Sequence, residues 1–218
     1  MKRYEIALEI AGATAIWTRP DTGDSPGTYP APTRSAARGI FESILWNPAV
    51  EIVPTRVEIC APLVFHHYTT NYGGPLRKSG QMKNGNNYQL FATVLINVKY
   101  RLYARLKPSN RPTQSEKVAR WLEGAKRSPA HAIQEIFERR LKRGQCHTVP
   151  SLGWREFVPS YVGPLRSETR VQEGINLTMA SMLDQVFPDG PFSAYAPTFL
   201  QGVEIRDGEL KYEDDHVE

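Results

Sequence analysis

The segment from Thr93 to Leu106, TVLINVKYRLYARL, alternates apolar and polar side chains over most of its length. A period of two residues is that of a β-strand with one buried and one open face, because successive side chains of a strand point to opposite sides. The pattern therefore predicts a long half-buried strand. Its open face would carry three cations and a ring, namely Lys99, Arg101, Tyr103 and Arg105.

The stretch around this strand carries no acidic residue. Between Cys60 and Ser115 the chain has eight Lys or Arg residues and no Asp or Glu. Such one-sided charge favours binding of a polyanion. Cations pair with phosphates and an exposed ring stacks on a base, a combination used by proteins that bind single-stranded nucleic acid. A solvated outer sheet face explains the pattern of this one strand equally well. Other parts of the chain must therefore distinguish nucleic-acid binding from simple exposure to solvent.

Charge divides the chain into two parts. The net charge of +4 is the sum of +11 over residues 1–158 and −7 over residues 159–218. Because an acidic surface repels phosphate, binding is expected on the N-terminal part. The two cysteines lack metal-ligand spacing, and no apolar run is long enough to span a bilayer. These features predict a cytoplasmic protein without a metal or cofactor.

Hydrophobic periodicity and turn residues outline the order of the elements. The N-terminal part reads as a strand from Tyr4 to Ile10, a helix capped by Thr33 or Ser35, and one or two strands within residues 50–65. A glycine-rich segment over residues 66–88, a helix over residues 113–124 and a helix over residues 128–144 are predicted around the cationic strand. This order predicts an α+β fold. Residues 1–150 would form a ferredoxin-like sheet of the RNA-recognition type, and residues 151–218 a small, acidic, β-rich part.

Several segments resemble the signatures of a known family. The first is YPAPTRSAARGIFESILWNP at residues 29–48, and the second is RGQCH at residues 143–147 followed by LGWREF at residues 152–157. The opening strand, with WTRP at residues 17–20, also fits. In this order the blocks resemble the fifth family of CRISPR-associated (Cas) proteins, in its type I-C branch.

The resemblance implies a subunit of a type I-C-like interference complex (Cascade) that binds the 5′ handle of CRISPR RNA and contacts the backbone and large subunits. It also implies a thumb hairpin, here residues 66–88, and a small C-terminal antiparallel β domain. The side chains expected to bind RNA are Arg34, Arg38, Arg77, Lys78, Lys83, Lys99, Arg101, Tyr103, Arg105, Arg139, Arg140, Arg143 and His147. For Arg34 and Arg38 the alternative is a solvated helix face, with Glu42 pairing with Arg38.

This branch is also expected to process its precursor RNA without a metal ion, by attack of a 2′-hydroxyl, using a tyrosine, a lysine and a histidine. At the three corresponding positions this sequence has Leu45, Ala130 and His131. Leucine and alanine side chains can neither transfer a proton nor stabilise charge, so His131 is the candidate catalytic residue. Possible substitutes for the missing groups are Lys126 or Arg127 as the cation and Tyr29, Tyr100 or His147 as the acid or base.

Two alternatives stay open. One is a purely structural RNA-binding subunit that leaves cleavage to a separate endonuclease, and the other is a free-standing RNA-binding protein of the RNA-recognition type. Other enzyme classes lack support, because the sequence has no GxxxxGK[ST] loop, no GxSxG elbow and no HExxH motif. His66 and His67 have no nearby cysteine or carboxylate to complete a metal site, and they are assigned to the thumb.

Overall fold

The computed structural model describes residues 4–72, 79–80, 88–109, 128–187 and 194–212. The strands and longer helices within these ranges are, in chain order, β1 (Tyr4–Ala15), α1 (Arg34–Ile44), β2 (Val50–Ile59), β3 (Phe65–Tyr72), β4 (Tyr88–Pro108), α2 (Pro129–Lys142), β5 (Tyr161–Gly163), β6 (Leu177–Gln185), β7 (Thr198–Arg206) and β8 (Glu209–Lys211). The helix predicted over residues 113–124 lies outside the described residues.

These strands form one antiparallel sheet with the order β5-β1-β4-β2-β8-β7-β6, and β3 pairs with the N-terminal part of β4. β4 is 21 residues long and pairs with β1, β2 and β3, so the sheet is built around it. The arrangement is mostly antiparallel with few helices, which confirms the predicted α+β class. Within the described ranges, no helix has the length and apolar character needed to cross a membrane.

The apolar face predicted for β4 lies in the core. Leu102 lies between Leu8 of β1 and Val57 of β2, and all three side chains are fully buried. Both helices contribute to the same core, where the rings of Phe41 and Phe137 lie 5.7 Å apart. Burial of each side chain of this size contributes about 1.5–3 kcal/mol, so the helices are stabilised mainly by this shared apolar face.

The helix ends follow the predicted capping residues. The Thr33 hydroxyl accepts a hydrogen bond from the Ala36 backbone N–H at 3.1 Å, which makes Thr33 the N-cap of α1. α2 begins at Pro129, and Gly144 beyond its C-terminus has φ of +64°. Proline suits the first turn of a helix, and a left-handed glycine ends one.

β4 changes partners near Asn97. This residue has φ of +53°, and the alternation of buried residues breaks there. On the N-terminal side, residues 88–95 of β4 pair with residues 65–72 of β3 to form an antiparallel hairpin. Part of the predicted thumb over residues 66–88 is therefore the stem of this hairpin. Residues 73–78 and 81–87, with Arg77, Lys78 and Lys83, lie outside the described residues.

The C-terminal strands extend the same sheet. β8 pairs with β2, and β7 and β6 follow beyond it. Three polar contacts attach them to the start of α1 and the residues before it. The Tyr212 hydroxyl donates to the Pro32 carbonyl at 2.7 Å, and the Leu183 N–H donates to the Tyr29 hydroxyl at 3.1 Å. The guanidinium of Arg34, the first residue of α1, binds both Asp184 carboxylate oxygens at 2.6 Å. The division at residue 150 stays a prediction; the strands on its two sides share a sheet.

Residues 164–172, which we call the cover segment, lie over part of the second face of the sheet. Glu9 of β1 is fully buried beneath it, and its carboxylate accepts hydrogen bonds from Arg166 Nε at 2.7 Å and from the Thr169 hydroxyl at 2.9 Å. Arg101 of β4 donates to the carbonyls of Arg166 and Thr169 at 2.7 and 2.8 Å. Charges from β1, β4 and the cover segment therefore neutralise one another inside the protein.

This network lowers the pKa of Glu9. Burial by itself raises the pKa, because a charged carboxylate loses its hydration. The hydrogen bonds from Arg166 and Thr169 outweigh that effect and favour the ionised form, so the pKa lies below its ordinary value of 4.5. A carboxyl with a lowered pKa stabilises the fold above its ordinary pKa, and that contribution is lost as the pH falls through the folded-state value.

We predict that Glu9→Gln lowers the free energy of unfolding at pH 7 by about 3 kcal/mol, because it leaves the partly buried guanidinium groups of Arg101 and Arg166 without their anion. The difference from the wild type should narrow below about pH 4.5, the ordinary pKa of the carboxyl. Chemical denaturation at a series of pH values measures both effects. The control is Glu5→Gln, on the same strand but exposed. Equal effects of the two variants would contradict the prediction.

Candidate nucleic-acid interface

The cations of β4 lie opposite carboxylates of the neighbouring strands. Arg101 pairs in register with Glu9 of β1 and Glu58 of β2, and its guanidinium lies 3.8 and 3.6 Å from their carboxylates. In the same way, Arg105 pairs in register with Glu5 of β1, and Lys107 pairs with Glu51 of β2. Opposite charges directly across a ladder stabilise a sheet. Three of the four cations of β4 thus lie opposite a carboxylate of a neighbouring strand.

Tyr103 is engaged by a cation of the same sheet. The Arg56 guanidinium lies 3.6 Å from the centre of the Tyr103 ring, which is a cation–π contact. Burial raises the pKa of the Tyr103 hydroxyl, and Glu58 adds to that shift. Tyr103, Arg101, Lys99 and Arg105 are all half-buried, and Arg101 contacts the cover segment. Their assignment to RNA binding stays a prediction.

The first motif, residues 29–48, makes internal contacts. Tyr29 is 3% exposed and its hydroxyl accepts the Leu183 N–H, so it packs in the core away from any substrate. Arg34 binds Asp184, as described above. Arg38 donates to Glu42 at 2.8 Å and lies 3.4 Å from Glu51, so the predicted alternative pairing with Glu42 is present.

The second motif also makes internal contacts. Leu152 is fully buried, and its carbonyl accepts the Ile16 N–H at 2.9 Å. Gly153 has φ of +101°, and an added Cβ would overlap the Ile16 carbonyl, so the position requires glycine. Trp154 and Phe157 stack on each other and contact Tyr68 of β3 edge-on. The motif therefore holds the hairpin against the sheet.

Two exposed arginines and two exposed aromatic side chains lie at or just beyond the C-terminal ends of α1 and α2. We call them the helix-end patch: Arg139, Arg143, His147 and Trp46. The Arg140 guanidinium caps α1 by donating to the Ile44 carbonyl at 2.9 Å. The His147 N–H donates to the Ser43 carbonyl at 2.7 Å, which fixes this loop beside α1. Within the described part of the chain, Arg139 and Arg143 take part in no ion pair, so their charges are available to a phosphate.

The three positions aligned with the catalytic residues of the family are not brought together. Ala130 and His131 lie at the start of α2, whereas Leu45 follows α1 near Arg140, at the other end of α2. Nine residues of helix separate His131 from Arg140, about 14 Å at 1.5 Å per residue. Ala130 and Leu45 are buried in the core. Lys126 and Arg127, the possible substitutes, lie outside the described residues.

His131 is partly exposed and has two neighbours. Its Nε2 lies 3.3 Å from a carboxylate oxygen of Glu135, one helical turn further on. The ring of Tyr4 lies 5.6 Å from the imidazole ring. Tyr100, another possible substitute, is fully buried and donates its hydroxyl to the Pro30 carbonyl at 3.0 Å, and burial raises its pKa. Of His131 and Tyr100, only the histidine is therefore open to a substrate.

Metal-ligating residues are dispersed. Among the residues that the structure describes, no three His, Cys, Asp or Glu side chains are grouped to hold a metal ion. Burial raises the pKa of the Cys60 thiol to about 11, so this side chain stays a neutral thiol packed in the fold. Cys146 is exposed.

Three exposed aromatic residues in the described part of residues 1–158 were not singled out from the sequence. Trp46 is 57% exposed beside the helix-end patch, and Phe65 and Phe91 of the hairpin are 52% and 57% exposed. The sequence contains a weak indication of an exposed aromatic residue, since Phe91 lies in the acid-free stretch. It is weak because an apolar residue in a strand is more often buried than exposed.

Comparison with known proteins gives a consistent result. The model of the CRISPR-associated protein (Cas_Cas5) family, Cas_Cas5d, matches residues 5–201. Two curated relatives are both named CRISPR pre-crRNA endoribonuclease Cas5d. The protein from Thermus thermophilus is 30% identical over 188 residues, covering 85% of this chain and 75% of the relative. The protein from Mannheimia succiniciproducens is 31% identical over 156 residues, covering 70% and 69%.

A solved structure of a CRISPR-associated protein has the same fold. It superposes with a TM-score of 0.67 at 20% sequence identity, covering 98% of this chain and 94% of that chain. The family expected from the two sequence motifs is therefore confirmed: this chain belongs to the Cas5 family of CRISPR-associated proteins, in its Cas5d branch.

Proposed function

We propose that the protein binds the 5′ handle of CRISPR RNA as a subunit of a type I-C-like interference complex, together with its backbone and large subunits. The observation that carries the proposal is the identity of 30% with a pre-crRNA endoribonuclease over 85% of the chain. The basic N-terminal part, with a net charge of +11 over residues 1–158, supports it because RNA binding is dominated by phosphate contacts. Membership of the Cas5 family argues against the alternative of a free-standing RNA-binding protein.

We further propose that β1, α1, β2, β4, α2 and β5 form a ferredoxin-like domain of the RNA-recognition type. The strand order β5-β1-β4-β2 with antiparallel neighbours supports it. In addition, α1 connects β1 to β2 and α2 lies between β4 and β5, as a split βαβ arrangement requires. The β3–β4 hairpin would then be the thumb, and β6 to β8 the C-terminal β part.

The exposed cations support an RNA path over the helix-end patch. Arg139 and Arg143 lie at the end of α2. His147 and Trp46 add two aromatic rings of the kind that stack on bases. The β4 cations are a weaker candidate, since Arg101 is held by Glu9, Glu58 and the cover segment.

For RNA affinity, we predict that the double variant Arg139→Gln, Arg143→Gln flattens the salt dependence of binding to single-stranded repeat RNA. Each phosphate contact contributes roughly −0.7 to the slope of log K against log salt concentration, so the change should be about 1.4. Fluorescence anisotropy titrations at a series of salt concentrations measure this slope. Arg206→Gln, in the acidic C-terminal part and 79% exposed, is the control. Identical slopes in all three proteins would place the RNA elsewhere.

We also propose that the protein cleaves precursor CRISPR RNA, with His131 as general acid or base. The names of both relatives support cleavage, and the exposure of His131 supports its role. A purely structural RNA-binding subunit is the second candidate. It is favoured by the buried, uncharged side chains of Leu45 and Ala130 at two of the three expected positions.

His131→Ala should lower the rate of cleavage of cognate repeat RNA by roughly 10²–10⁴, the usual contribution of one general acid–base group. A 2′-deoxy substitution at the cleaved position should abolish the cut, and EDTA should leave the rate unchanged, because the 2′-hydroxyl is the nucleophile. The control is Arg206→Gln, in the acidic C-terminal part, with a side chain that is 79% exposed. If the His131→Ala variant cleaves the RNA at the same rate as the wild type, His131 takes no part in the mechanism. If the wild type does not cleave its cognate repeat RNA, the proposal of a purely structural RNA-binding subunit is the one that remains.

A further inference from the structure

The outer face of the β3–β4 hairpin carries two exposed phenylalanines. Phe65 and His67 point to this face from β3, and Phe91 points to it from β4, since Phe65 pairs with Leu95, His67 with Thr93 and Thr69 with Phe91. Phe65 is 52% exposed, Phe91 is 57% exposed, and His67 between them is also exposed. We call Phe65, His67 and Phe91 the hairpin platform.

The inner face of the same hairpin is used for packing. Ala92 and Val94 of β4 are buried there. Tyr68 of β3 pairs with Ala92 in register and contacts Trp154 and Phe157 edge-on, with ring centres 6.4 and 5.4 Å away. The second sequence motif thereby fixes the hairpin, and the platform faces outward on a rigid support. On the platform face, Leu95 opposite Phe65 is buried in the core, whereas Phe65 and Phe91 each leave more than half of the side chain exposed, so packing accounts for neither ring fully.

We propose that the hairpin platform stacks on unpaired bases of single-stranded RNA, one base on each phenylalanine. The proposal rests on the proposed function and adds to it a base-binding site distinct from the phosphate contacts of the helix-end patch. Exposed aromatic rings on two adjacent strands stack on bases in other sheet-type RNA-binding domains, because every base presents a π-face.

The composition of the sequence around the platform favours RNA over a protein partner. The hairpin lies within the stretch between Cys60 and Ser115, which has eight Lys or Arg residues and no Asp or Glu. Arg77, Lys78 and Lys83 lie in the sequence between β3 and β4. A docking surface for a protein is normally poor in lysine, whereas aromatic rings flanked by cations suit a base with its phosphate.

The spacing of the rings sets the number of bases. Phe65 and Phe91 lie four ladder positions apart, since Phe65 pairs with Leu95. At 3.3–3.4 Å per residue this is about 13 Å. A single base cannot reach both rings over that distance. Each phenylalanine therefore takes its own base, and the exposed imidazole of His67 lies between them.

The test compares Kd for single-stranded repeat RNA in the full-length wild type and in Phe65→Leu, Phe91→Leu. Leucine keeps an apolar side chain but removes the aromatic face, so we expect a rise in Kd of about tenfold for each ring. The slope of log K against log salt concentration should be unchanged, because no charge is lost. Phe65→Tyr, Phe91→Tyr should restore affinity to within about threefold. Phe199→Leu, with a ring 43% exposed in the acidic C-terminal part, is the control, and thermal melts confirm that each variant folds.

The outcomes separate this proposal from the proposed function. RNA binding by the wild type with an unchanged Kd in the double leucine variant would overturn the platform and leave the RNA-binding function standing. Unchanged RNA affinity with lost assembly into the interference complex would identify the face as a protein contact instead, which also overturns the proposal. No measurable binding of repeat RNA by the wild type would overturn both.

Discussion

The buried carboxylate of Glu9 is the interaction on which the arrangement of the second sheet face depends. It holds Arg166 and Thr169 of the cover segment directly and lies 3.8 Å from Arg101, so three parts of the chain share one charge network. A buried charge is tolerated only when its partners satisfy it, and here their hydrogen bonds lower the carboxyl pKa despite burial. Because the cover segment lies over part of this face and binds Arg101, the helix-end patch and the hairpin platform are the stronger candidates for the proposed RNA contacts.

The two segments that resemble the family act chiefly as junctions. The first connects the sheet to the C-terminal strands through Tyr29, Pro32 and Arg34. The second anchors the hairpin through the stack of Trp154 and Phe157 against Tyr68. Residues of this kind fix the relative positions of the parts that they connect. The cations at the end of α2 and the outer rings of the hairpin lie on the surfaces so positioned.

Local patterns predicted the elements, and long-range pairing determined what the site residues do. The alternation of residues 93–106 correctly predicted a strand and its core face, and Thr33 and Pro129 correctly marked the helix starts. The partners of Arg101 could not be predicted, because Glu9 and Glu58 lie far away in the sequence and meet it only through strand register. The same holds for Asp184 beside Arg34. The exposure of Phe65 and Phe91 depends on which face of the hairpin packs, and that is set by Trp154 and Phe157.

Amide hydrogen exchange of the full chain, with and without single-stranded repeat RNA, tests most directly where the RNA lies. We expect slower exchange in residues 65–72 of the hairpin and in the loop at residues 143–148, with no change in the cover segment at residues 164–172. Slower exchange confined to residues 164–172, with the hairpin and the loop unchanged, would show that RNA binds the second sheet face. That result would contradict the central claim.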